Sequence, residues 1–349
     1  MLFRSPNAPK CSLFFLLAWF VAFQISCAQA KSKVREYFIA AENQIWDFAP
    51  SNRNLLHCGG EADSCPIPDP WTDSHIFEKV RFVQYTDRSF STPVRQPAWL
   101  GVLGPILRAE VGDIVLVHLC NHAQKRSVSM HPHGLLYDKD DEGAKYTGAN
   151  QKTPAGRGAV VPPGECYDYT WFADKRSGPG QGELSSKVWW YHTHIDTPTD
   201  TNAGLLGPII VTRKHMAKPD GSPLDVDHEF VTAFIIFDEL EGEEPGLMHS
   251  INGYIFGNLP GLEVKQGNRV RWHVIGMGNE VDLHTPHWHG EVVQVGAHHV
   301  ARHTDVVELL PATMLTVDMK ADNPGEWLYH CHVADHIHAG MSTTYSILP

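Results

Sequence analysis

The chain has 349 residues, with 40 Asp and Glu against 28 Lys and Arg, a formal net charge of −12. That length is enough for two domains of ordinary size, each with its own core. An acidic surface repels nucleic acid and attracts cations, so nucleic-acid binding is excluded from the expectations.

Residues 1–30 carry Arg4 and Lys10, the apolar run SLFFLLAWFVAF and the small-residue site AQA ending at Ala30. This is the layout of a secretory signal peptide, and the run is too short to span a bilayer. A lipoprotein anchor at Cys27 fits Gln24 and Ile25 poorly. No second apolar run follows and YSILP carries no anchor tail, so the expectation is a secreted, extracellular protein without a membrane anchor. Without residues 1–30, 26 basic side chains remain against 40 acidic ones, a formal charge of −14. The remaining cysteines are Cys58, Cys65, Cys120, Cys166 and Cys331. Exported chains oxidise their thiols in pairs, so an odd number leaves one free. Cys331, between His330 and His332, is the candidate. For the others Cys58–Cys65 and Cys120–Cys166 are expected, with the alternative pairings open.

Further along, short β-like segments recur: DIVLVHL, CYDYTWF, VWWYHTH, GPIIVT, FVTAFIIF, RVRWHVI, EVVQV, MLTVDM, EWLYHCHV and STTYSIL. Gly, Pro, Asn and Asp separate them and no long helical period appears, which predicts Greek-key β-sandwiches. The polar, turn-rich stretch 213–227 predicts an interdomain linker. The segments on either side of it repeat one another. AEVGDIVLVHL matches VKQGNRVRWHV, MHPHG matches PHWHG, WYHTHID matches LYHCHVA, and AGLLGPIIV matches AGMSTTYSI. One sandwich has been used twice. Thr193 stands where the second copy has Cys331, and Leu205 where it has Met341.

Four H-x-H pairs fall at matched places in the repeats: His131/His133, His192/His194, His287/His289 and His330/His332. Side chains on a strand alternate faces, so each pair projects two imidazoles to one side and the residue between them to the other. Eight imidazoles suit several copper ions if they converge. With 22 His in the chain, one such pair would carry little weight; four at matched positions in two repeats are not chance. A thiolate, two imidazoles and a weak axial thioether make the blue-copper set. Cys331, His336 and Met341 supply three of these, and His284 supplies the other imidazole. Structural zinc would recruit several closely spaced cysteines instead.

With these motifs the chain resembles the multicopper oxidases, and within them the ceruloplasmin and hephaestin branch. LGPILRAEVGD, HPHGLLYDKDDEGA, NEVDLHTPHWHG and HCHVADHIHAGMSTTYSI are close to that branch's phrases, from about residue 35 to the C-terminus. The resemblance implies an all-β chain of two cupredoxin-like Greek-key β-sandwich domains, residues 31–212 and 228–349. The branch itself carries six such domains, of which these resemble the first and last. It further implies four coppers per chain. Type 1 copper takes His284, Cys331, His336 and Met341; type 2 takes His131 and His287; the type 3 pair takes His133, His192, His194, His289, His330 and His332. The implied reaction couples four one-electron oxidations of a donor to reduction of O2 to water. In that branch the donor is Fe(II), held beside type 1 copper by acidic groups and a histidine, which match Glu244, His249 and Asp335 here, with Glu280 from a neighbouring domain. A laccase-like oxidase of phenols or aromatic amines would want an apolar donor pocket, and a copper nitrite reductase would need only one type 2 copper. With only two domains joined by a short linker, a homotrimer with intersubunit trinuclear clusters is expected, because three chains head to tail close a ring of six domains.

Overall fold

In a computed structural model of the chain, which describes residues 32–56, 65–146, 155–240, 246–278 and 282–349, two β-sandwiches follow one another as expected. The expected signal peptide, Cys58, Glu244 and Glu280 lie outside the described residues. The first sandwich contains β1 (Val34–Asp47), β2 (Ile76–Tyr85), β3 (Leu107–Glu110), β4 (Ile114–Asn121), β5 (His131–Pro132), β6 (Cys166–Phe172), β7 (Ser186–His192) and β8 (Leu206–Thr212). One of its sheets has the order β2-β1-β4-β6, the other β3-β8-β7-β5. The second sandwich contains β9 (His228–Asp238), β10 (Leu247–Ile251), β11 (Glu263–Lys265), β12 (Arg269–Gly276), β13 (Pro286–Trp288), β14 (Val293–Val295), β15 (Arg302–Thr304), β16 (Met314–Lys320), β17 (Gly325–Cys331) and β18 (Ser342–Leu348). Its sheets run β10-β9-β12-β16-β14-β15 and β11-β18-β17-β13. The plan is repeated strand for strand, including the parallel pairs β1/β4 and β9/β12, and β3/β8 and β11/β18. Among the described residues only the hairpin β14–β15 is added. Two short helices, α1 (Thr197–Asn202) and α2 (Ala334–His338), follow the second histidine pair of each copy.

Each predicted β-like segment lies in or overlaps a strand. CYDYTWF, now β6, alternates exposed and buried positions because one face of its sheet is wet. FVTAFIIF and RVRWHVI, in β9 and β12, are buried on both faces. The reason is tertiary: their outer face is covered by the first sandwich. One core belongs to the first sandwich alone, whereas the other runs from the second into Trp46, Trp99, Val188 and Trp190 of the first.

Buried charges tie that seam. Arg271 grips Asp318 at 2.7 and 2.9 Å and donates to the hydroxyls of Ser185 and Ser186 across the seam at 2.6 and 2.9 Å. Arg108 donates to Glu229 at 2.7 Å, and the carboxylate's other oxygen lies 2.9 Å from His273 Nε2. Cys120 and Cys166, opposite one another on β4 and β6, are joined by a disulfide. Cys65 is also disulfide-bonded, and among the described residues Cys331 alone is free. No described helix is long and apolar enough to cross a membrane.

Candidate metal centres

Three side chains from three parts of the second sandwich meet at the end of β17. Cys331 closes that strand, His284 precedes β13, and His336 sits in α2. Cys331 Sγ lies 3.5 Å from His336 Nδ1 and 3.9 Å from His284 Nδ1, and those two nitrogens are 3.2 Å apart. All three residues are buried. Met341 is fully buried too, and its backbone joins the group: its N–H donates to His336 O at 2.9 Å and its carbonyl accepts from Cys331 N at 3.1 Å. Burial alone would raise the Cys331 thiol, but hydrogen bonds from His284 and His336 outweigh it and bring it to about 6. A thiol so placed is a thiolate at neutral pH, which is the form that binds metal.

The eight remaining histidines form two quartets. β5 and the end of β7 pair His131 opposite His192, which brings His133 and His194 alongside. Ring centroids within this first quartet lie 5.1–5.6 Å apart, and His133 Nε2 is 3.3 Å from His192 Nε2. β13 and β17 pair His287 opposite His330 in the same way. There His330 Nε2 lies 3.2 Å from His287 Nδ1 and 3.1 Å from His289 Nε2, and the His332 ring is 5.2 Å from that of His287. The first H-x-H of each quartet, His131/His133 and His287/His289, is followed by a glycine in the left-handed region, Gly134 and Gly290, both at φ +73°. An added Cβ would strike Trp189 at 2.2 Å or Trp327 at 2.4 Å, so the turn that aims each pair admits only glycine.

Burial favours the neutral form of five of these imidazoles. It lowers His131 and His287, and takes His133 and His330 to about 4 and His192 to about 3, with neighbouring imidazoles adding to the effect. A neutral ring keeps a lone pair for a metal. A free buried thiol with two imidazoles, and two clusters of imidazoles, therefore fit copper by the chemistry of their donors. The quartets do not meet within the chain. Among the described residues no hydrogen bond or ring contact joins them, and the cavities they line, of about 620 and 390 Å³, share no residue.

Comparison with known proteins agrees with this geometry. Family profiles described as multicopper oxidase match residues 83–216 and 232–349. The chain belongs to the multicopper oxidase family. Hephaestin of Homo sapiens is 36% identical over 345 residues, covering 90% of this chain and 29% of its own length. Ferroxidase HEPHL1 of Mus musculus is 36% identical over 348 residues, with the same shares. Ceruloplasmin of Homo sapiens is 34% identical over 345 residues, 91% of this chain and 32% of its own. The chain thus spans about a third of these relatives. In fold it matches a multicopper oxidase crystal structure, TM-score 0.62 at 20% identity, over 90% of this chain and 89% of the other. It also matches the blue copper oxidase from Nitrosomonas europaea, TM-score 0.60 at 21%, over 90% and 86%.

In this multicopper oxidase chain the structure also brings His249 beside the thiol site, its ring 5.1 Å from that of His336. Burial lowers His249 to about 4, with His336 adding to it and Asp335, in the first turn of α2, opposing. Two carboxylates that the sequence reading missed touch candidate ligands. Asp282, fully buried, lies 3.1 Å from His284 Nε2 and accepts from Ile236 N at 3.2 Å. Burial lowers His284, but Asp282 and Cys331 outweigh it and leave the ring raised. Asp305 lies 3.5 Å from His287 Nε2. The first had a signal, since residues two apart on extended chain share a face. The second had none: the loop bearing Asp305 reaches His287 only through the sheet.

Proposed function

We propose that this chain oxidises Fe(II) to Fe(III) at its thiol site and reduces O2 to water at its imidazoles, four Fe(II), one O2 and four protons giving four Fe(III) and two waters. What carries the reading is covalent continuity: Cys331 of the thiol site stands between His330 and His332 of a quartet, so the path between them is a few bonds long.

Copper supplies the one-electron chemistry when bound. In this reading His284, Cys331, His336 and Met341 would hold type 1 copper. His131 and His287 hold type 2, and His133, His192, His194, His289, His330 and His332 the type 3 pair, four coppers per chain. The residues prepare these sites in advance. Asp282 occupies His284 Nε2 and so leaves Nδ1 turned towards Cys331. His330 Nδ1 is likewise engaged by the carbonyl of Cys331 at 2.7 Å, leaving Nε2 facing His287 and His289. His249 and Asp335, with Glu244 and Glu280, take Fe(II) beside His336. Hard oxygen ligands stabilise the ferric product, which lowers the free-energy cost of removing the electron.

The separation of the quartets supports a homotrimer. An oxygen site needs both, so the first quartet of one chain meets the second of its neighbour, and three chains closed head to tail carry three such sites. Within this ring Glu280 of one subunit can serve the iron site of another. The signal-like residues 1–30 make it a secreted protein.

One experiment tests both claims. A copper-loaded variant with His131→Ala and His192→Ala, and another with His287→Ala and His330→Ala, should each fail to oxidise Fe(II) under air. Mixed and reassembled, they should recover part of the parental rate, because some interfaces then join two intact quartets. A parent inert towards Fe(II) sinks the iron reading; mixed oligomers without recovery sink the intersubunit site.

A further inference from the structure

The reduction of O2 needs protons as well as electrons, and the imidazoles of the quartets are committed to copper in the reading above. The cavity of about 620 Å³ that the first quartet lines has His133, His192 and His194 on one side, and Asp238, Glu239 and Met277 of the second sandwich on the other. Glu239 is ion-paired with Lys79 of β2, their side chains 8% and 1% exposed. The Lys79 ammonium also donates to Asn202 O at 2.7 Å and lies 4.4 Å from the centre of the Phe237 ring.

Unlike the other buried pairs of the seam, this one has its carboxylate in the wall of the cavity that the first quartet lines. Burial raises the Glu239 carboxyl, against the pull of Lys79, with Asp238 adding to the rise. Burial likewise lowers Lys79, against the pull of Glu239. Both shifts run towards the neutral pair, so the carboxyl takes up a proton more readily, and the ammonium gives one up more readily, than either would in water. Two more residues lining the cavity, Trp190 and Thr201, carry a buried Nε1 and Oγ1 without a hydrogen-bond partner among the described residues. Polar atoms of that kind are anchor points for water.

We propose that the Lys79–Glu239 pair is the proton port of the oxygen-reducing site, with Glu239 donating across the cavity towards the first quartet. The inference rests on the oxidase reading above. Each O2 takes four electrons, from four Fe(II), and four protons, and leaves as two waters. Glu239 hands over its proton and takes another from solvent, while Lys79 balances the carboxylate left between transfers. Asp238 and the three imidazoles are the other titratable groups lining the cavity.

The test separates electron arrival from proton delivery. Copper-loaded Glu239→Gln should bleach under anaerobic Fe(II) at the parental rate. Its reoxidation by O2 should slow about tenfold or more, with a larger solvent deuterium effect. Glu239→Asp should recover part of that rate. Reoxidation at the parental rate, or equal slowing of both steps, overturns the proposal, since a purely structural pair would disturb the two alike. A second measurement needs no copper, and its deciding reading is taken on the parent. Infrared titration of the metal-free parent should show a carboxyl protonating above the ordinary glutamate range, shifted when Lys79 is replaced by Met. A parent without such a carboxyl overturns the port whether or not the chain is a ferroxidase.

Discussion

Thr193 and Cys331 occupy the same place in the two sandwiches and are held by the same bonds. The N–H of Thr193 donates to Leu205 O at 3.1 Å, and that of Cys331 to Met341 O at 3.1 Å. The side chains accept from Ser129 N and Thr285 N, each at 3.4 Å. The carbonyls meet Nδ1 of His192 at 2.8 Å and of His330 at 2.7 Å. One residue before Ser129 and Thr285, a matched bridge joins Val128 to Val161 and His284 to Leu309. The backbones coincide, yet Val128, Thr193 and Leu205 line one copy where His284, Cys331 and Met341 line the other. The Thr193 hydroxyl closes its own circuit by donating to Ser129 O at 2.8 Å. A thiol site therefore needed no new fold, only side-chain replacements on a scaffold whose matched hydrogen bonds each involve the backbone.

The largest expected effect comes from making the copies alike. Cys331→Ser should abolish the blue absorption of the copper-loaded protein while the type 2 copper signal remains in electron resonance. The converse change, Thr193→Cys, should give no second blue band, because Val128 offers no imidazole. A blue Cys331→Ser protein would break the comparison.

The seam between the copies comes next. Glu229→Gln leaves Arg108 and His273 without their carboxylate, and unfolding free energy should fall by about 3–5 kcal/mol. Burial raises Glu229, but the His273 hydrogen bond and the Arg108 charge outweigh it and hold the carboxyl at about 2 against an ordinary 4.5. A depressed carboxylate stabilises the fold fully above its unfolded value, so the gain should be lost as pH falls from about 4.5 through about 2. Calorimetry should find that acid component in the parent and not in Glu229→Gln. An identical acid profile in both would show the seam to be held by packing alone.

The smallest effect sharpens what distinguishes the second copy. Asp282→Asn should weaken copper binding at the thiol site by about 10–100-fold. The blue band should shift and the histidine-quartet coppers should stay in place. Unchanged affinity and spectrum would mean that His284 is aimed by packing rather than by its carboxylate.

Much of the scaffold was legible because its signals are local. Alternation over a few residues marks a wet strand, as in CYDYTWF, and the same period of two makes H-x-H a two-pronged ligand wherever the chain is extended. β1, the longest strand at 14 residues, left no such mark. Its VREYFIAAENQIWD mixes buried and exposed positions irregularly, since it is held by β2 on one side and by β4, some 70 residues on, on the other.

The sequence by itself determined the repeat, the four histidine pairs, the single unpaired thiol and the donor chemistry, because these depend on residue type and on spacings of two to ten residues. Which imidazoles share a cavity was decided only when β5 met β7 and β13 met β17. The fold alone set Asp305 against His287, buried Lys79 with Glu239, and gave the two quartets separate cavities. Those relations join residues 18 to 160 positions apart, where no periodicity reaches and only the closure of the sheets brings side chains within bonding distance.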